Sequence, residues 1–199
     1  AFAAQGRDIK FSEERVEGYR HFVNKLWNAA RFIMMNIETI KNQKEITEKG
    51  VGAFNLASKW ILSMLSSVTS NVNKALEEYR FNDAASEIYH FIWHEFCDWY
   101  IEMAKSDIKN PELEMSVLRC LLYTLDNSLR LLHPFMPYVT EEIWQKIPHV
   151  RRDKEEIQES IMISEYPESL LGDHKAEEDM SYIIDAVLGI RTIRGELTV

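Results

Sequence analysis

Apolar residues recur at steps of three and four along most of the chain, which is the pattern of helices with one buried face. The first such segment begins after Ser12, a residue type that caps helix N-termini, and Glu13 and Glu14 then suit the positive end of the helix dipole. The pattern continues to about Ile40. We find no alternating Val- and Ile-rich segment that would indicate a sheet, so the sequence predicts an all-α fold.

Prolines and polar segments divide the remainder into further helices, because a proline favours the first helical position and disfavours helix in the residue before it. Pro111 and Pro137 are therefore predicted to open helices, and Pro134 to follow the end of one. The predicted helices after the first span residues 54–79, 82–110, 111–133 and 137–148. Residues 41–53 and 150–160 are predicted loops, residues 161–167 an extended segment, and residues 175–194 a final amphipathic helix.

Four long helices with apolar faces and short connections predict an antiparallel helical bundle with a small C-terminal appendage. We assign residues 1–148 to the bundle. Residues 149–199 then supply a charged loop, a short extended segment and a C-terminal helix of the same domain or of the appendage.

Composition narrows the functional classes. A net charge of −9 argues against a general nucleic-acid binder, which needs many cations for phosphate, so any RNA site must be local. Cys97 and Cys120 are too few for a disulfide framework and favour the cytoplasm, and the absence of a long apolar run predicts no membrane partner. Because the chain opens at Ala1 without Met and stops at Val199 within a helical pattern, we expect a segment of a longer protein.

On a helical wheel the first helix has a core stripe and an opposite face that is mostly polar. Phe32 is the aromatic exception on that opposite face. The predicted core stripe comprises Val16, Tyr19, Val23, Leu26, Ala30, Ile33 and Ile37. The opposite face comprises Glu14, Glu17, His21, Lys25, Asn28, Phe32 and Met35.

Two interpretations of Phe32 remain open. In the functional one, Phe32 is a stacking platform for an unpaired base, and Lys25, Asn28 and Arg31 donate hydrogen bonds to base or phosphate. In the structural one, the final helix or the appendage covers the ring.

The third predicted helix carries two further sets of candidate residues. His90, His94 and Cys97 have a spacing that could hold zinc in a helical-bundle metalloprotein, but a closed site needs four ligands and no CxxC or HExxH motif occurs. We therefore assign Cys97 to the core. Trp93 and Asp98 lie roughly 140° apart on an α-helical wheel and need not share a site, although either could face a groove beside the first helix.

The segment GRDIKFSEERVEGYRHFVNKLWNAARF closely resembles the start of the anticodon-binding domain of valyl-tRNA synthetases, which are class I aminoacyl-tRNA synthetases. Three later blocks agree in the same order: KWILSML, EEYRFNDAASEIYHFIWHEFCDWYIEMAK and LRLLHPFMPYVTEEIWQ. The last blocks are also shared by isoleucyl, leucyl and methionyl relatives, so the first block carries the resemblance to the valyl enzymes.

The resemblance implies that the bundle binds the anticodon loop of a valine tRNA, in which the middle base is always adenine and the third is always cytosine. It assigns stacking to Phe32 and polar contacts to Lys25, Asn28 and Arg31. His21, Trp93 and Asp98 complete the set of candidate RNA-binding residues.

The resemblance also implies a parent enzyme that attaches valine to its tRNA with ATP and magnesium. The HIGH and KMSKS signatures of its catalytic domain are absent from this sequence. We therefore expect no catalytic residue and no cofactor in this segment, which would act as a monomer beside a catalytic domain of the same polypeptide. The alternative is a helical protein-interaction module whose polar and aromatic face docks a partner helix.

Overall fold

The computed structural model describes residues 12–38, 40, 54–149 and 158–196, and these residues form an all-α fold without strands. The predicted loop at 41–53, most of that at 150–160 with Arg151 and Arg152, and the opening residues 1–11 lie outside the described residues. The helices are α1 Glu13–Glu38, α2 Leu56–Glu77, α3 Phe81–His90, a π-helix Phe91–Tyr100, α4 Ile101–Asp107, α5 Glu114–Leu132, α6 Pro137–Trp144 and α7 His174–Glu196.

The first two helices each begin directly after a residue of a type that caps helix N-termini. α1 begins directly after Ser12, whose carbonyl oxygen accepts a hydrogen bond from the backbone N–H of Val16 at 3.2 Å. α2 follows Asn55, whose side-chain oxygen accepts from the N–H of Ser58 at 2.9 Å and so satisfies one free donor of the first turn. Both predicted starts are confirmed to within two residues.

The third predicted helix is a composite of three parts, because α3, the π-helix and α4 follow one another without a break over residues 81–107. A π-helix joins backbone groups five residues apart, so side chains at that spacing turn towards the same side. Buried residues recur at this step in Phe91, Phe96 and Ile101, and again in Ile92 and Cys97. The π-helix thus directs its aromatic residues Phe91, Phe96 and Tyr100 into the core.

The prediction that Pro111 opens a helix is wrong, since α5 begins at Glu114. The side-chain oxygen of Asn110 accepts from the backbone N–H of Glu112 at 3.1 Å, which holds the chain in a turn before the helix starts. The prediction for Pro137 is confirmed, as α6 begins there.

The core lies where α1, α2, the composite helix and α5 meet, which confirms the predicted helical bundle. α5 is the most enclosed helix, and even its polar residues Asp126, Asn127 and Ser128 are buried. Fully buried side chains from all four helices include Phe22, Leu26, Ile33, Ile61, Ile88, Phe96, Tyr100, Leu118, Leu121 and Leu125.

Residues 158–173 cross the outside of the bundle, held by side chains of α2. Asn73 donates to the carbonyl of Pro167 at 3.0 Å, and the Ser63 hydroxyl accepts from the N–H of Asp173 at 2.7 Å. The extended prediction for residues 161–167 is wrong at its start, where Ile161–Ile163 forms a 3-10 turn capped by Ser160.

The final helix α7 packs on α2, but it is not the amphipathic helix that the sequence predicted. Ala176 and Met180 are its buried residues. Beyond them Ile184 still packs against the core, but most of the later apolar residues are exposed. The exposed ones are Tyr182, Ile183, Leu188, Ile190 and Ile193. None of the described helices combines the length and the apolar content that crossing a membrane requires.

Candidate nucleic-acid interface

A shallow groove runs between α1 and the composite helix and has a volume of about 670 Å³. α1 supplies residues spaced by about one helical turn, and the composite helix supplies two aromatic side chains. The lining residues are Gly18, His21, Asn24, Lys25, Asn28, Tyr89 and Trp93. The structure therefore brings four of the predicted site residues, namely His21, Lys25, Asn28 and Trp93, to one surface.

The aromatic wall of the groove is anchored in the core. The Phe22 ring is fully buried and stacks on Tyr89 with centroids 4.6 Å apart and an interplanar angle of 28°. Tyr89 in turn lies nearly parallel to Trp93, at 5.9 Å and 13°. Tyr89 and Trp93 are half-buried, so packing fixes their rings while part of each remains accessible. Burial also raises the pKa of the Tyr89 hydroxyl.

Lys25 joins the two helices across the groove. Its ammonium Nζ lies 3.9 Å from the centroid of the Trp93 ring and 2.5 Å from Oδ1 of Asp98. The other carboxylate oxygen of Asp98 lies 3.4 Å from Nδ1 of His94. The sequence left open whether Trp93 and Asp98 share a site, and here both contact Lys25, because residues five apart converge in a π-helix.

The rim of the groove on the α1 side is polar and exposed. Asn24 and Asn28 stand four residues apart, which places their amides on one face of the helix. Each amide offers two donors and an acceptor, which is the chemistry that the edge of a nucleobase presents. His21 is also exposed and lies 3.9 Å from Glu17.

Phe32 and Arg31 lie about one helical turn beyond Asn28, outside the groove lining. Arg31 is exposed. The expectation that Phe32 faces away from the core is wrong: its ring is half-buried and packs against the core, with Nζ of Lys105 at 5.9 Å from the centroid. The physical reason is that α1 packs on the π-helix, α5 and α6, which together cover more than one stripe of its surface.

The same packing corrects the predicted core stripe of α1. Val16 and Tyr19 are exposed, at 53% and 40%. Phe22 and Ala29 are buried instead, on the side that meets the neighbouring helices.

Three lining residues were absent from the sequence prediction, namely Gly18, Asn24 and Tyr89. Gly18 precedes His21 by three residues and Asn24 follows it by three, so helical spacing from His21 was a usable signal. Tyr89 precedes Trp93 by four residues, which gave the same signal on the composite helix.

His90, His94 and Cys97 differ too much in exposure to form a shared site. The two histidine rings are exposed and stack at 5.8 Å, whereas Cys97 is buried. Burial raises the pKa of the Cys97 thiol to about 12, which disfavours the thiolate that a metal needs. Among the residues that the structure describes, no cluster of three or more His, Cys, Asp or Glu side chains is arranged to hold a metal.

The amino-acid sequence is also similar to known proteins. Residues 58–199 match the model of the family described as the anticodon-binding domain of tRNA ligase. The chain is 47% identical over 205 residues to a valine–tRNA ligase of Geobacter sulfurreducens, covering 100% of this chain and 22% of that protein. A valine–tRNA ligase of Syntrophotalea carbinolica is 47% identical over 206 residues, covering 100% and 22%. One of Thermotoga maritima is 44% identical over 197 residues, covering 98% and 21%. The chain thus spans about a fifth of the length of these relatives.

Proposed function

Because this chain belongs to the family of anticodon-binding domains of tRNA ligases, we propose that it binds the anticodon loop of a valine tRNA within a longer valine–tRNA ligase. The observation that carries the proposal is the groove between α1 and the composite helix. It combines half-buried aromatic rings, exposed amides and one lysine on a single surface.

The arrangement suits a single-stranded loop better than a duplex. Bases in a loop can be splayed out, stacked on aromatic side chains and hydrogen-bonded along their edges. Trp93 and Tyr89 supply the stacking surface on the parts of their rings that Lys25 and Phe22 leave open, and the amides of Asn24 and Asn28 lie along the α1 side of the same groove. An Asn amide pairs well with the N6 and N7 positions of adenine, which is the middle base of every valine anticodon.

Phe32 and Arg31 extend this surface in our proposal. They lie about one turn along α1, so a neighbouring base of the loop would reach Phe32 while the exposed Arg31 meets a phosphate. Lys105 above the Phe32 ring adds a second cation at that point.

The remaining activity of the longer protein belongs, in this proposal, to parts outside this chain. A catalytic domain of the same polypeptide would bind ATP with magnesium and attach valine to the tRNA, so this segment alone forms no aminoacyl-tRNA. We further propose a cytoplasmic monomer in which residues 1–148 make the bundle and residues 149–199 the appendage.

The proposal is tested with a fluorescent valine anticodon stem-loop, titrated by anisotropy at low salt beside a loop whose middle adenine is replaced. We expect tighter binding of the valine loop. Trp93→Leu and Phe32→Leu keep apolar bulk but remove the ring, and each should weaken binding by about 1–3 kcal/mol.

Leucine is chosen because both side chains pack against the core, where truncation to alanine would leave a cavity. Tyr182→Leu on α7 is the matched control, since Tyr182 is an exposed aromatic outside the groove. Circular dichroism confirms that each variant is folded. The proposal is contradicted if the domain binds both loops equally, or if Tyr182→Leu loses as much affinity as Trp93→Leu and Phe32→Leu do.

A further inference from the structure

An anion lies next to the groove, paired with its one lysine, where a surface for RNA would be expected to avoid negative charge. The side chain of Asp98 is 45% exposed and lies beside Lys25. A carboxylate repels phosphate, and its ion pair with Lys25 neutralises a cation that could otherwise bind phosphate. Asp98 is therefore expected to lower the general affinity of this surface for RNA. A gain in selectivity would offset that loss.

We propose that Asp98 is a positioning residue that makes the groove selective for a base over phosphate, by holding the Lys25 ammonium above Trp93. This inference rests on the proposed function and goes beyond it in assigning how selectivity arises. The contact of 2.5 Å to Oδ1 and the 3.9 Å distance to the ring centroid together fix the ammonium at one point.

Held in this way, Lys25 acts as a directed hydrogen-bond donor. An ammonium has three N–H donors, of which one faces Asp98, so another can meet an acceptor on a base. Its charge is largely compensated by the carboxylate, which reduces its attraction for phosphate. A base stacked near Trp93 gains the ring contact and this hydrogen bond, whereas a phosphate gains only a hydrogen bond, opposed by the charge of Asp98.

The π-helix makes this arrangement possible. Trp93 and Asp98 are five residues apart, and an α-helix would turn them roughly 140° away from each other. Hydrogen bonds between residues five apart bring both side chains to face α1, where Lys25 lies between them. The second carboxylate oxygen, 3.4 Å from His94, limits rotation of the Asp98 side chain.

The test compares wild type, Asp98→Asn, Lys25→Met and the double variant for binding to the valine stem-loop and to the loop with a replaced middle base. We expect Asp98→Asn to bind the replaced loop more tightly and to reduce the preference for the valine loop by roughly fivefold or more, the lower range of one base contact. The salt dependence should steepen by about 0.7 in log–log slope, because Lys25 gains one phosphate.

Asp185→Asn on α7 is the matched control, because it removes the same charge from an exposed site outside the groove. If Asp98 acts only through long-range charge, Asp98→Asn and Asp185→Asn should both strengthen the binding of the two loops equally and leave the preference for the valine loop unchanged. With Lys25 already replaced by Met, adding Asp98→Asn should not change the preference further. The proposal is overturned if Asp98→Asn leaves the preference for the valine loop intact. It is also overturned if Asp98→Asn changes that preference as much in the Lys25→Met background as in wild type.

A measurement without RNA separates this proposal from the proposed function. Proton–nitrogen NMR should show a slowly exchanging ammonium signal that disappears in Lys25→Met and weakens in Asp98→Asn. If that signal is absent from wild type, the lysine is not held and the proposal fails whatever the RNA does. If it is present but wild type binds both loops equally or neither, the proposed function fails, and the role of Asp98 in selectivity fails with it.

Discussion

At the scale of single residues, burial decides which side chains carry chemistry. Cys97 and Cys120 are both buried, and burial raises their thiol pKa values from 9.0 to about 12 and about 11. At pH 8 both thiols should stay protonated, so iodoacetamide should modify neither in the folded protein and both after denaturation, as measured by intact mass. Modification of either cysteine in the folded protein at the denatured rate would contradict this.

The same two thiols predict how stability depends on pH. The pKa of each is raised on folding, so the stabilisation from keeping it protonated is complete below the unfolded pKa of 9.0 and is lost as pH rises towards the folded values. Urea unfolding should therefore show a falling free energy of unfolding above about pH 9. Cys97→Ala should make this fall shallower.

At the scale of elements, Gly18 of α1 lines the groove although the surrounding packing leaves room for a side chain there. A Cβ added at Gly18 would meet no atom within 4 Å, and the same holds for Gly189 in α7. Alanine at a helix interior is favoured over glycine by about 1 kcal/mol, so Gly18→Ala should raise the free energy of unfolding by about that amount in urea or thermal denaturation. Because Gly18 lines the groove, the added methyl should also weaken RNA binding.

Gly189→Ala supplies the matched control for this prediction. It adds the same methyl to a helix outside the groove and should leave RNA affinity unchanged. If Gly18→Ala binds RNA as tightly as Gly189→Ala does, the groove is not occupied at that end.

Element starts and types could largely be predicted from the sequence, because caps and periodicity are local signals. The starts after Ser12 and at Pro137 are examples. The site could be predicted only in part. The convergence of Trp93 and Asp98 on Lys25 depends on the π-helix, and a wheel of 100° per residue assumes the wrong geometry there. The half-burial of Phe32 depends on which helices flank α1, which is a tertiary property.

At the scale of the whole molecule, the chain carries a net charge of −9 and yet is proposed to bind a polyanion. The two facts are compatible if affinity comes from stacking and base edges in one groove, with few phosphate contacts. Exposed Arg31 is one candidate for such a contact, and Lys105 beside Phe32 is another.

Salt dependence tests this directly. For single strands the logarithm of the binding constant falls by about 0.7 per phosphate contact for each tenfold rise in salt, so two contacts predict a slope of about −1.4. Anisotropy titrations of the valine stem-loop at several salt concentrations measure this slope. Arg31→Gln should make the slope shallower by about 0.7. Lys109 is an exposed lysine outside the groove, so Lys109→Gln should leave the slope unchanged. A slope of about −4 or steeper would require an extended phosphate-binding surface, and binding would then not depend mainly on the groove.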